Sequence, residues 1–167
     1  MKKILGLIAL ITVTGTAIAF AQTKTDVALN QVLAAYYDVK NALATDKKDV
    51  AIEKVKVLTE KVNAVPHNEL QADQHKIWME QASIIKSKAA ELAGTNDIKV
   101  QRKVFELISS AMIKTVRNIK FNNNTVYVQH CPMAKASWLN EKENIENPYY
   151  GSMMFECGDV SETIASK

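Results

Sequence analysis

Apolar residues return at steps of three and four from Ala28 to Ala44, at Leu29, Val32, Leu33, Tyr36, Val39 and Leu43. That spacing places them on one face of a helix, with Tyr37 and Lys40 off it. The run Thr45-Asp46-Lys47-Lys48 breaks the pattern, and Thr45 or Asp46 is a suitable cap for a second helix. There Ala51, Val55, Leu58, Val62 and Val65 form the stripe, while Lys54, Lys56, Glu60 and Lys61 fall on the solvated side. Pro66 ends this helix, because the residue before proline is pushed out of the helical region.

A third helix is predicted over 69–93, with Leu70, Trp78, Ala82, Ile85, Ala89 and Leu92 as its stripe and Gly94 as its stop. Asn96 or Asp97 caps a fourth, which carries Ile98, Phe105, Ile108, Met112, Val116 and Ile119 and runs out at Asn122-Asn123-Asn124. Four amphipathic helices with short connections predict an antiparallel up-and-down arrangement. Beyond them Thr125-Val126-Tyr127-Val128 alternates as a short strand does, with the segment near Phe155 as its expected partner. Trp138 and Leu139 are expected to anchor the intervening loop by burial, and Asn147-Pro148-Tyr149-Tyr150-Gly151 is turn chemistry. The expected fold class is therefore all-α: an antiparallel four-helix bundle over 22–123, with an irregular or short β arm over 124–167.

The first twenty-one residues change the picture of the compartment. Lys2-Lys3, an apolar stretch from Ile4 to Phe20 and the small-x-small triplet Ala19-Phe20-Ala21 have the form of a signal peptide. An uncleaved anchor is the alternative, although the stretch is marginal against the roughly 20 apolar residues a membrane helix needs. The expectation is an exported, periplasmic or otherwise extracytoplasmic protein starting near Gln22, without membrane insertion after cleavage. The whole chain has 21 Lys and Arg against 18 Asp and Glu, and losing Lys2 and Lys3 leaves 19 against 18, a net of +1. A nearly neutral surface argues against a nucleic-acid partner.

Candidate chemistry is crowded into the C-terminal segment. Both cysteines, Cys131 and Cys157, lie there with His130 and three of the six methionines, Met133, Met153 and Met154. If the backbone is extended at Cys131-Pro132-Met133, the Cys131 and Met133 side chains project to one side. Met154 and Cys157 are three apart, which brings them together on a turn or helical backbone. Two sulfur pairs could then converge on a soft ion. Copper(I) suits the set best, and zinc is the lesser possibility if His130 joins two thiolates. The alternative is a Cys131–Cys157 disulfide, since export places both thiols where disulfides persist, with the methionines filling gaps.

The other candidates are bland. His67 and His75 read as exposed polar residues, because neither has a histidine or carboxylate partner at the spacing of a helical metal site. The chain carries no Glu-x-x-His pair of the di-iron type, no Cys-x-x-Cys, no serine elbow and no glycine-rich phosphate loop. Enzyme function is not expected.

The segments Gln101-Arg102-x-x-Phe105-x-x-x-Ser109, Tyr127-Val-Gln-His-Cys131-Pro-Met-Ala, Trp138-Leu139, Asn147-Pro-Tyr-Tyr-Gly151, Met154 and Cys157-Gly158 occur in that order. Together they resemble domain-of-unknown-function family 3347, small exported proteins that also occur as modules attached to periplasmic adaptors of heavy-metal efflux pumps. Only Ala-Lys-Ala-Ser separates Met133 from Trp138 here, a shorter insert than many members have. The resemblance implies a link to heavy-metal handling and an efflux-pump adaptor as partner. It maps the family's Cys-Pro-Met onto Cys131, Pro132 and Met133, and its Gly-x-x-Met-x-x-Cys-Gly onto Gly151, Met154, Cys157 and Gly158. The expected function is binding of a soft metal ion; the alternative is a disulfide-closed interaction domain.

Overall fold

A computed structural model describes residues 23–167. The expected signal peptide over 1–21 lies outside the described residues. Four helices come first: α1 (Lys24–Ala44), α2 (Lys48–Asn63), α3 (Ala72–Ala93) and α4 (Ile98–Ile119). Each packs on the next in sequence, α1 on α2, α2 on α3 and α3 on α4. The predicted stripes are the core, in which Leu29, Val32, Val39, Ala51, Val55, Leu58, Trp78, Ile85, Leu92, Phe105, Ile108, Met112 and Val116 are buried together. Among the described residues no helix is long and apolar enough to cross a membrane.

Local chemistry accounts for the starts of α1 and α4. Thr23 caps α1 by accepting from Asp26 N, and Asp97 caps α4 by accepting from Lys99 N. At α2 the expected cap fails: Lys47 is the capping position and Asp46 instead takes a left-handed backbone, φ +59°. Its carboxylate is used elsewhere, as described below. The third helix also starts later than expected, at Ala72, because residues His67–Glu69 close a separate 3-10 turn first.

An all-α class is too strong. After α4 come three strands, β1 (Val126–Cys131), β2 (Ala136–Asn140) and β3 (Asp159–Ile164), forming an antiparallel sheet in the order β2-β1-β3. The predicted strand is β1, but its partners are not the segment near Phe155. β2 was expected as loop, and its register pairs Tyr127 with Asn140 and Cys131 with Ala136. The hairpin turn between them, Pro132 to Lys135, contains neither glycine nor asparagine. Lys135 itself adopts the left-handed conformation, φ +53°, a position glycine normally fills. That is why the turn was invisible in the sequence. β3 pairs with the other edge of β1, with a register shift at Val128 and Gln129 where the Ser161 hydroxyl donates to Val128 O, 3.0 Å.

The sheet is part of the core and not an arm lying on it. β2 packs on α4, and Val126, Val128 and Leu139 belong to the same buried cluster as the helices. Tyr36 joins the layers: its ring stacks on Phe105 at 5.2 Å, its hydroxyl lies 2.8 Å from Ser109 Oγ and it accepts from Leu139 N at 3.1 Å. Lys40, expected off the buried face of α1, is fully buried. Its ammonium donates to Asn140 Oδ1 at 2.6 Å and to Glu146 Oε2 at 2.7 Å, and it pairs with Glu141 at 3.3 Å. A lysine tolerates such a place only when paired. Here the pairing ties α1 to the end of β2 and the loop beyond it.

Candidate metal-binding thiol pair

The thiols come from two different backbone environments. Cys131 is the last residue of β1 and is buried; Cys157 ends a run of turns before β3 and is half-buried. Asn147, fully buried, organises those turns. Its side chain donates to Cys157 O at 2.8 Å and accepts from Tyr149 N at 2.8 Å, while its own N–H donates to Phe155 O at 2.8 Å. The chain then tightens through Met154 N to Gly151 O and Cys157 N to Met154 O, 3.1 Å each.

Two glycines let this path pass close to the rest of the fold. Gly151 stands at φ +58°, where a Cβ would run into the Arg102 guanidinium and the Asp46 carboxylate. Arg102, also buried, ion-pairs with Asp46 and donates to Leu43 O at 2.8 Å and Pro148 O at 3.0 Å. Asp46 in turn accepts from Ser152 N at 3.0 Å. Gly158, at φ +140°, lies so near β1 that a Cβ would sit 2.7 Å from His130 O and 3.1 Å from the Trp138 ring. Trp138 is buried, edge-on to Tyr149 at 5.7 Å. The short insert before Trp138 thus makes a tight hairpin, which brings the indole against the glycine that follows Cys157.

The result is a pair of free thiols with sulfurs 3.4 Å apart. The closed disulfide is not the form described. The two thiols are not equivalent. Burial alone would push Cys131 up, but the N–H of Ala134, the Cys157 thiol, the Asn147 side chain and the N–H of Met133 outweigh it and hold Cys131 below its usual range. Cys157 is shifted the other way, first by its hydrogen bond to Cys131, then by burial and the charges of Cys131 and Asp159. Cys131 is therefore the first to ionise, with Cys157 as its donor. The tight turn after β1 supplies the N–H groups that favour the thiolate.

The remaining expected ligands are placed differently. Pro132 begins the turn, so the backbone is not extended through Met133, and that side chain stands on the turn's tip, 64% exposed. Met154 is half-buried on the turn leading to Cys157. The contact the structure shows is that of the two thiols, and the two methionines stand on the flanking turns. His130 precedes Cys131 on β1 and so belongs to the opposite face of the strand, where Nδ1 lies 3.0 Å from the hydroxyl of its cross-strand neighbour Ser137. Among the described residues no group of three or more His, Cys, Asp or Glu is placed to hold a metal ion.

The family described as Protein of unknown function (DUF3347) matches residues 32–124. The chain belongs to this family. The match covers α2 to α4 and most of α1, and it ends just short of β1. The thiol pair thus lies in the part of this DUF3347 chain that follows the matched segment. No curated protein and no solved structure matches the chain.

Sequence reasoning missed the supports and one side-chain pair. The roles of Lys40, Asp46 and Asn147 depend on partners about 10 to over 100 residues away; Arg102 and Asn147 stand within the family pattern, which does not report those partners. His67 and His75, read as separate exposed residues, are half-buried and face one another, Nδ1 to Nε2, at 3.1 Å. Their separation crosses a 3-10 turn and a helix start, and no simple periodicity reports that contact.

Proposed function

We propose that this protein binds a soft metal ion, copper(I) above others, between the thiolates of Cys131 and Cys157. The observation that supports the reading is the meeting of the two sulfurs from separate elements at 3.4 Å. An ion held about 2.3 Å from each sulfur needs them roughly 3.8 Å apart in a tetrahedral site and about 4.6 Å apart in a linear one. Opening the pair by about 0.4–1.2 Å meets that range, and a rotation of the half-buried Cys157 side chain supplies such a movement. A disulfide requires closure to about 2.05 Å, the larger displacement when compared with tetrahedral coordination. Thiolate is the donor class that selects copper(I), with zinc second. Met154 and Met133, on the flanking turns, are the candidate thioether donors once the ion is in place.

The resemblance to modules carried by efflux adaptors makes handing a metal ion to such a pump the fitting role for an exported chain of this kind. The reading is of a binding module, not an enzyme. A second reading rests on the same proximity: in an oxidising compartment the pair closes, and the domain serves as a disulfide-stapled interaction module.

A copper(I) competition titration against a chromophoric chelator, under reducing conditions, separates them. Cys131→Ser and Cys157→Ser should each weaken binding at least tenfold. Met154→Leu and Met133→Leu should weaken it less, with apo stability changed by under about 1.5 kcal/mol because the swaps keep volume. His130→Gln should leave affinity unchanged, since its imidazole lies on the other face of β1. Wild-type binding no tighter than that of Cys131→Ser would remove the metal reading and leave the staple.

A further inference from the structure

His67 and His75 stand apart from the sulfur pair, in a part of the fold that the proposed function does not use. His67 opens the 3-10 turn after α2, and His75 lies in the first turns of α3. Both are half-buried, with ring centres 5.1 Å apart and ring planes inclined at 51°. Nδ1 of His67 and Nε2 of His75 are 3.1 Å apart, so one nitrogen donates and the other accepts. The two ring nitrogens therefore face each other directly, with the donor set by the tautomers.

The backbone around the pair is held independently of the rings. The buried Thr25 hydroxyl lies 3.1 Å from Pro66 O and 3.0 Å from Glu69 Oε2, fixing the residues on either side of His67. His67 N donates to Val65 O at 2.8 Å and Leu70 N to His67 O at 3.1 Å. On the other side His75 N donates to Gln71 O at 2.7 Å within α3. The spacing of the rings is thus built into the turn from α2 to α3.

We propose that His67 and His75 form a second metal site, a two-imidazole chelate for a borderline divalent ion of the Cu²⁺ or Zn²⁺ class. Metal–nitrogen bonds of about 2.0–2.1 Å put two ligating nitrogens roughly 2.9 Å apart at a right angle and roughly 3.4 Å apart at the tetrahedral angle. The observed 3.1 Å falls inside that interval, so the ion replaces the hydrogen bond with little change in nitrogen spacing once each ring turns its lone pair by roughly 40° from the other nitrogen toward the ion. Imidazole nitrogen suits borderline ions, and copper(II) heads the divalent order of affinity. Among the described residues no third histidine, cysteine or carboxylate joins the pair, so water completes the coordination. Such a site is open and exchangeable, unlike a closed structural one. It is spatially and chemically separate from the thiols, and it stands whether or not they bind metal.

The test uses the full chain with Cys131→Ser and Cys157→Ser, which removes thiols that would reduce Cu²⁺. Cu²⁺ alone is titrated and followed by electron paramagnetic resonance. One equivalent with hyperfine coupling to two nitrogens is expected, and His67→Gln or His75→Gln should each weaken it at least tenfold. Affinity unchanged within about twofold in His67→Gln, or coupling to one nitrogen only, overturns the site. If the double serine chain fails to fold, Zn²⁺ is added to the reduced wild type and the histidine ring resonances are followed by NMR. Joint movement of the His67 and His75 signals, with His130 still, is expected; response at His130 alone, or at neither member of the pair, overturns it.

Discussion

Replacing Gly151 by alanine strikes the support of the thiol pair without touching a sulfur. Gly151 holds φ +58°, and a side chain in that region costs about 1–2 kcal/mol. The added methyl would also stand 2.9 Å from Asp46 Cγ and closer still to Asp46 Oδ1 and Arg102 Nη2, so the ion pair must part. Losing a hydrogen bond between charged groups costs about 1.5–3 kcal/mol. Asp46 is 39% exposed on its side chain and can be rehydrated, but Arg102 is 8% exposed and cannot. It keeps only Leu43 O and Pro148 O. The total comes to about 2.5–5 kcal/mol, a large share of the 5–15 kcal/mol typical of a domain. For a chain of this size it corresponds to a fall in Tm of roughly 5–20 °C. Urea unfolding followed by circular dichroism measures it. Asp46→Asn and the double variant complete a cycle in which the two effects should be less than additive, because both remove the same ion pair. A loss under about 0.5 kcal/mol for Gly151→Ala, or strict additivity in the cycle, would refute the reasoning.

Lys40→Met keeps the length of the side chain but leaves buried Asn140 and the mostly buried Glu146 without their partner. It should cost about 2–4 kcal/mol, toward the lower part of the range for breaking a buried pair because Lys142 stays 3.0 Å from Glu146. Amide exchange should quicken in the loop after β2 before it does in α2 or α3, and equal exchange throughout would count against the tie. Acid should loosen the same regions. Burial pushes Glu146 up, but its bonds to Lys40 and Lys142 outweigh that and hold it below the ordinary carboxylate range. Asp46 is held low by Ser152 and Arg102. Folded values below unfolded ones mean stability fully present above the unfolded range, about pH 4–4.5, and lost as pH falls through the folded values. The urea midpoint should therefore hold from pH 7 to about 5 and drop below about pH 4, with a shallower drop in Lys40→Met. An identical acid profile in that variant would remove Glu146 from the account.

The four helices were legible from residue order alone, because burying an amphipathic stripe needs only local periodicity. Leu29 through Leu43, Ala51 through Val62, Trp78 through Leu92 and Phe105 through Ile119 are buried as their spacing predicts. The crowding of both cysteines, His130 and three methionines into one C-terminal segment was equally plain from residue order. Tertiary structure alone decided the rest. A strand becomes a strand by pairing, and Ala136–Asn140 pairs because Lys135 accepts a left-handed backbone that its side chain does not advertise. Polar residues are placed by partners far along the chain: Lys40 is buried by Asn140 and Glu146, and Asp46 leaves the cap of α2 for Arg102 and Ser152. The same holds at the sites. The turn that begins at Pro132 replaces the extended backbone expected through Met133. Cys157 gained its place beside Cys131, and His67 its place beside His75, only when separate backbone elements met in three dimensions.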